Sequence, residues 1–152
     1  MFSQAFQNAV KNGNAYSWTN ATYDPAALDT IETVCNDHTG GWNLHIERVD
    51  FSADTATQFV IHLPAYATWA GTAVTGTNLN ANSSNTAIAT AKANETGQAT
   101  RGSVVGGGSV LASGEVQTWL NVTLGYHKAI GVDAIADVAG AIATIWGYFS
   151  TT

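Results

Sequence analysis

A strict alternation of apolar and polar residues, in the stretch TWLNVTLGYH at 118–127, limits this chain most strongly. Side chains of a β-strand point alternately to its two faces. One face here carries aliphatic side chains, at Leu120, Val122 and Leu124. The other carries an aromatic ring beside an amide and a hydroxyl, at Trp119, Asn121 and Thr123. The stretch predicts a strand with a core face and a face for solvent or a partner.

Two earlier segments show the same period. The first, 42–51, alternates and then shifts phase, which predicts a β-bulge near Glu47 and Arg48. The second, 56–64, places Gln58, Val60 and His62 opposite its apolar face and ends at a proline. With the strand near 118–127 they predict an antiparallel sheet within 42–126.

The two ends of the chain differ from this middle part. Residues 1–23 fit either a helix, from Phe2, Phe6 and Val10 at spacing four, or a strand. We favour a β-hairpin turning at Asn12-Gly13. The segment after Asp24-Pro25 predicts a short helix. Residues 131–149 predict a C-terminal amphipathic helix packed on one sheet face. Its stripe includes the apolar residues Ile135, Val138, Ile142, Ile145 and Trp146.

A long segment of small and polar residues, 65–115, interrupts the sheet as a loop. It holds almost no large apolar residues between 70 and 114, so we expect it to pack against another chain, or to fold as a β-arm on its own domain. Its stretch GSVVGGGS lacks the lysine of a phosphate-binding loop. The 152 residues predict a single α+β domain.

Composition excludes several function classes. Charged residues make up only 11% of the chain, and the formal net charge is −6, which disfavours binding to nucleic acid through charge alone. The single Cys35 excludes an internal disulfide, and we find no metal, cofactor or catalytic motif. His45 and His62 lack the carboxylate pattern of a metal site. No signal peptide or membrane span is expected, nor any small-molecule substrate.

Three stretches together resemble the coat proteins of single-stranded RNA bacteriophages of the levivirus type. They are PAALDTIETVCNDHTGGWNLHIERV, TATQFVIHLPAYATW and VQTWLNVTLGYHKAIGVDAIADVAGAIATI. The resemblance implies a virion structural protein whose homodimer continues one sheet across two chains. Dimers would assemble in the bacterial cytoplasm into an icosahedral capsid or virus-like particle. The helix residues named above would form the dimer and assembly contacts.

The same resemblance implies a partner for the polar face, namely single-stranded genomic RNA. Trp119 would stack on an unpaired base beside Asn121. The remaining RNA-binding candidates share that face in the implied sheet, and they are Thr123, His45, Glu47, Arg48, Gln58 and His62. That family usually places lysines or arginines here, and this chain has almost none.

Other interpretations stay open at this point. Trp119 could instead cover a contact between chains or with a loop. A carbohydrate-binding β-sandwich would suit Trp, Asn and Asp on a threonine-rich sheet. A pore-forming protein could insert residues 70–114 as a hairpin. The size of the purified particle distinguishes a coat protein, a carbohydrate-binding protein and a pore-forming protein.

Overall fold

The computed structural model describes residues 1–27, 29–95 and 101–151, so Leu28 of the expected short helix and part of the expected long loop lie outside the described residues. The described elements are one helix and eleven strands. They are α1 (Gln4–Lys11), β1 (Ala15–Thr19), β2 (Thr30–Asn36), β3 (Trp42–Ala53), β4 (Thr57–Leu63), β5 (Thr72–Val74), β6 (Thr77–Asn78), β7 (Ala89–Glu95), β8 (Ser103–Val110), β9 (Gly114–Leu124), β10 (Ala129–Ala134) and β11 (Ile142–Thr151).

The strands form two antiparallel sheets. Sheet I has the order β6-β1-β11-β3-β9, and sheet II has the order β5-β7-β2-β10-β4-β8. The expected α+β fold with a C-terminal helix is therefore wrong, because 55% of the described residues are in strands and only 6% are in a helix. The fold is mostly β.

Eight of the strands follow a nested pairing rule. Strand β4 pairs with β8, β3 with β9, β2 with β10, and β1 with β11, all antiparallel. The first half of the chain thus pairs with the second half like one long hairpin, wound so that successive pairs alternate between the two sheets. This is the connectivity of a jelly roll. Strands β5, β6 and β7 are insertions in the connection between β4 and β8.

The core lies between the inner faces of the sheets. Phe51 of sheet I stacks on Phe59 of sheet II, with ring centroids 4.5 Å apart. Trp18, Ile31 and Ile145 are fully buried with them. At 25 cal/mol per Å² of apolar surface, each such side chain contributes about 2 kcal/mol to folding.

Segment predictions at both chain ends were wrong. The expected hairpin over 1–23 is instead helix α1 followed by β1; Gly13, with φ +71°, occupies the turn that was expected to join two strands. The expected helix over 131–149 is β10, a connection and β11, because the apolar residues at spacing three and four run across that connection and do not share one face of either strand. The expected helix after Asp24-Pro25 is β2. Residues assigned to the long loop form β5, β6, β7 and β8.

The middle of the chain agrees better with its predictions. Strands β3, β4 and β9 exist, and the register of β3 against both neighbours shifts between Ile46 and Arg48, where the bulge was expected. However, β3 and β4 are not neighbours in one sheet: β3 belongs to sheet I and β4 to sheet II.

Candidate functional site: the outer face of sheet I and the open side

The outer face of sheet I holds six of the eight residues expected to bind RNA. The pairing of β11, β3 and β9 sets Trp146, Arg48 and Trp119 in one row across the sheet, and Tyr148, His45 and Thr123 in another. Asn121 shares the exposed side of β9, and Glu47 lies at the bulge. The other two, Gln58 and His62, lie on β4 in sheet II. The structure therefore does not bring all eight residues together.

Arg48 lies among three aromatic rings on this face. Its guanidinium carbon is 4.6 Å from the ring centroid of Phe2, 5.2 Å from that of Trp119 and 5.0 Å from that of Trp146. A cation over an aromatic face contributes about 0.5–2 kcal/mol, more as water is excluded. The ring of Trp119 also meets that of Phe2 edge to face, with centroids 5.2 Å apart. Trp119 is thus partly engaged within its own chain, although 44% of its surface is exposed.

The charge of Arg48 is already neutralised. Its Nε lies 2.8 Å from Oδ1 of Asp50, and a terminal guanidinium nitrogen donates to Oδ2 at 2.8 Å. The indole N–H of Trp146 donates to the same Oδ2, also at 2.8 Å. Burial raises the pKa of Asp50, whereas the bonds from Trp146 and Arg48 lower it. This ion pair leaves Arg48 poorly placed to contact a phosphate.

Two further candidates on this face serve the fold. Glu47, turned outward by the bulge, accepts hydrogen bonds from the backbone N–H and the hydroxyl of Ser3. Ser3 is the N-cap of α1, and its hydroxyl accepts from the N–H of Phe6. The imidazole of His45 lies 3.0 Å from the Thr123 hydroxyl and 2.9 Å from the Ser150 hydroxyl. Burial is the main cause that lowers the pKa of His45.

His62 belongs to a buried polar cluster on the other sheet. Its Nδ1 accepts from the backbone N–H of Gly102 at 3.1 Å, which leaves Nε2 to donate to Asp133 at 3.0 Å. Asp133 also accepts from the Thr30 hydroxyl at 2.7 Å and from Nε of Arg101 at 3.1 Å. This cluster joins β2, β4 and β10, so we interpret His62 as a structural residue.

The five residues expected to form the dimer and assembly contacts do not share a face. Ile145 is in the core and Val138 is buried near the connection between β10 and β11. Trp146 lies on the outer face of sheet I, Ile142 is half-buried, and Ile135 is exposed. The predicted apolar stripe depended on a helix that does not form.

The two lateral sides of the sandwich are built differently. On one side, which we call the closed side, β1 is paired by β6 and β2 by β7 and then β5. On the other, the open side, β8 and β9 end their sheets, each paired only on its inner edge among the described residues. An unpaired strand edge is a template for another chain.

The open side lacks most of the usual protection of an edge, although the register of β8 against β4 and that of β9 against β3 each shift once, as at a β-bulge. Natural edge strands are short, or carry lysine, proline or inward charges. Strand β9 spans 11 residues and β8 spans 8, and Glu115 is the one charged residue in the two strands. Three of the most exposed large apolar side chains lie on this side: Val104, Leu111 and Trp119.

Glycines of β8 allow the two sheets to pack closely at the open side. A Cβ at Gly106 would lie 3.3 Å from Cδ2 of Leu120, and one at Gly108 would lie 3.4 Å from the Phe59 ring. Strand β8 can therefore approach the inner face of β9 closely. The glycine-rich stretch forms a packed strand, and its backbone edge is left free for pairing.

Two titratable groups are buried on β2. Glu32 is fully buried, and this burial raises the pKa of its carboxyl well above the ordinary value, opposed by the backbone amide of Asn20. No local pattern marks Glu32 as buried, since long-range pairing covers it. Cys35 is a buried free thiol, as its position after Ile31 and Val34 predicts, and it is covered by Trp69 and Ala129. Burial and the nearby Asp37 raise the pKa of its thiol to about 12.

Comparison with protein-family models, with curated proteins and with solved structures finds no match to this chain in any of the three. Within the described residues, no helix is long and apolar enough to cross a membrane.

Proposed function

We propose that this chain is a structural protein that assembles with copies of itself into a closed shell, as the capsid protein of a virion does. The observation that supports this proposal is the structure of the open side. Two long, nearly uncharged edge strands with exposed Val104, Leu111 and Trp119 are a hazard in a monomer and a binding surface in an assembly.

The sequence of β9 suits pairing with a second β9. Trp119 is its middle residue. Around a two-fold axis at Trp119, full antiparallel overlap sets the two indoles side by side, Gln117 opposite Asn121 of the second copy, and Glu115 opposite Thr123. No like charges face each other in this register, and the polar pairs can form hydrogen bonds. The result would be a continuous ten-stranded sheet.

One pair of edges gives a dimer, and a shell needs another contact. Strand β8 and the exposed Leu111 lie on the same side but outside β9, so each subunit has further surface there for association. The jelly-roll connectivity adds support by analogy only, because capsid proteins, lectins and cupins all use it.

RNA contact by the outer face of sheet I stays a prediction with less support. The cation on this face, Arg48, is ion paired with Asp50. Charge attraction supplies most of the affinity for a nucleic-acid backbone. Trp119, moreover, would lie in the seam between two copies.

Light scattering after size exclusion, followed by electron microscopy of the full chain, tests the proposal. We expect large, homogeneous particles. A protein that remains a monomer at its highest attainable concentration would overturn the shell and the edge pairing together, and a dimer that grows no further would overturn the shell. Nuclease-protected RNA in the particles would support RNA packaging.

Charges introduced into β9 test its proposed pairing with β9 of a second copy. In the variant Gln117→Lys with Asn121→Lys, each introduced lysine faces one from the second copy. Like charges set opposite each other cost several kcal/mol, so association should weaken by about a hundredfold or more. The matched control, Gln58→Lys with Thr19→Lys, adds the same charge at exposed positions on interior strands and should assemble like the wild type. Equal assembly by both variants would rule out β9 as the seam.

A further inference from the structure

A groove runs along the end of sheet I where β1 and β3 begin and β11 ends. It consists of two cavities, of about 400 and 280 Å³, that share Asn14, Trp42 and Phe149 in their walls. We call this feature the Trp42 groove. The connection between β4 and β8 closes one wall of the larger cavity with residues 84–86 and Ile88. A pocket of this size suits a small organic ligand.

Aromatic side chains form much of the wall. The ring of His38 stacks on that of Trp42, with centroids 5.2 Å apart and planes 19° apart. Phe149 packs against His38 at 5.8 Å, and Tyr16 meets Phe149 edge to face at 5.8 Å. These contacts hold the rings in place before any ligand arrives. A rigid aromatic wall favours a ligand with an apolar face.

The rim is made of amides and hydroxyls. The amide nitrogen of Asn85 donates to the carbonyl of Gly13 at 3.2 Å and to the amide oxygen of Asn14 at 3.3 Å. These bonds fix both amide planes. In the described part of the chain, the remaining groups, the Asn85 oxygen and the Asn14 nitrogen, take no hydrogen bond, so they offer an acceptor and a donor side by side. Adjacent hydroxyl groups of a ligand match such a pair, because each hydroxyl both donates and accepts.

The charge of the groove narrows the ligand class. The described lining residues of both cavities include one histidine, His38, and no Asp, Glu, Lys or Arg. A phosphate or carboxylate ligand would find no cation to pair with, and an ammonium ligand would find no carboxylate. A wholly apolar ligand would leave the rim amides without partners at a cost in free energy.

We propose that the Trp42 groove binds a neutral carbohydrate. A sugar ring combines an apolar face with adjacent hydroxyls, as this wall and rim require. The smaller cavity continues past Trp42 and carries amide and hydroxyl groups at Asn8, Asn12, Ser150 and Thr151. Two cavities that share Trp42 in their walls indicate an oligosaccharide of at least two residues.

This proposal is independent of shell assembly. The groove lining contains no residue of β8 or β9, so pairing on the open side leaves it accessible. A shell carrying such grooves would attach to a surface covered with neutral glycans.

Saturation-transfer difference NMR, in which the signals of the free sugar report binding, works with either particles or monomers. The probes are glucose, galactose, mannose, N-acetylglucosamine and a β-linked and an α-linked disaccharide of each. Glucose 6-phosphate and indole serve as anionic and apolar controls. We expect transfer to at least one neutral disaccharide, stronger than to its monosaccharide. Transfer to no neutral sugar, or equal transfer to the phosphorylated and neutral forms, would overturn the proposal.

Variants locate the binding. Ser84→Trp fills the larger cavity from an exposed rim position, and we expect it to abolish transfer; Asn82→Trp places the same ring on the same segment outside the lining and should preserve it. Asn85→Ala removes the rim acceptor and should weaken binding about tenfold. Unchanged binding in Ser84→Trp would exclude this groove as the site.

Discussion

The closed and open sides of the sandwich solve the same physical problem in opposite ways. On the closed side, residues between β4 and β8 supply β6, β7 and β5, so that β1 and β2 are not left unpaired. That side also carries charge, at Lys92 and Glu95 on β7. On the open side, two longer strands remain bare and almost uncharged. This difference between the two sides is the basis for the proposed pairing of the open side with a second copy.

Placing the same carboxylate on each side should separate burial from association. Ala91→Asp, on the closed side, puts a charge into the core and should lower the free energy of unfolding by about 3 kcal/mol or more. Asn121→Asp, on the open side, should change monomer stability by less than about 0.5 kcal/mol. Urea unfolding measures both, and a similar loss in the two variants would contradict the difference between the sides.

Stability should depend on protein concentration, since only another copy completes the open side. At a subunit concentration about 100 times the dissociation constant, association adds about 2.7 kcal/mol, and the melting temperature should rise accordingly. Calorimetry over a dilution series measures this. The variant Gln117→Lys with Asn121→Lys should have the same melting temperature at every protein concentration. A wild-type melting temperature that does not change with concentration would contradict association through the open side.

Glu32 provides a pH test of the sandwich interior, which both sides enclose. Its folded pKa is raised above the ordinary value of 4.5, so the native protein holds a proton that the unfolded chain releases. Stability from this group is therefore full below about pH 4.5 and is lost as the pH rises towards the folded pKa.

Glu32→Gln removes that loss, so the variant should gain on the wild type progressively above pH 4.5, by about 1–3 kcal/mol at pH 8. Unfolding curves between pH 4 and 8 measure the gap. A constant gap over the whole range would mean that Glu32 ionises normally.

The smallest expected change in the free energy of unfolding is for replacement of Trp119 in the monomer. In the variant with lysines at positions 117 and 121, which should be monomeric, Trp119→Ala removes one ring from Arg48 and should cost about 0.5–1 kcal/mol. Replacement of the equally exposed Tyr126 by Ala should cost less. A loss near zero for Trp119→Ala would mean that the ring serves only the partner.

The strands with unambiguous alternation were predictable, and their pairing was not. Leu120, Val122 and Leu124 identified the inner face of β9, and the phase shift before Arg48 identified the bulge. The C-terminal helix was wrong because Ile135, Val138 and Ile142 imitate a helical stripe across a connection, where Gly140 has φ +65°. The true signal was the alternation of Ala143, Ile145 and Phe149 in the core with Trp146 outside.

The candidate sites were harder to predict than the strands, because their residues are brought together by long-range strand pairing. Trp119 was identified as exposed, but Phe2, which contacts it, and Trp146, which lies in the same row of the sheet, come from distant segments that were both misassigned. Gln58 and His62 were placed beside it because consecutive strands were expected to share a sheet. The Trp42 groove needs residues 84–88, and the sequence of this segment does not fix where it packs.

The nested pairing has a consequence for folding kinetics. Among the four nested pairs, β4–β8 and β3–β9 close the shortest loops, whereas Ala15 must find Tyr148 across nearly the whole chain. Loop-closure entropy favours the inner pairs first, and such non-local topologies fold slowly. Strands β8 and β9 belong to those inner pairs. Newly made chains would therefore expose the edges of β8 and β9 while the outer strands are still unfolded. Correct assembly and misassembly would then compete before folding is complete.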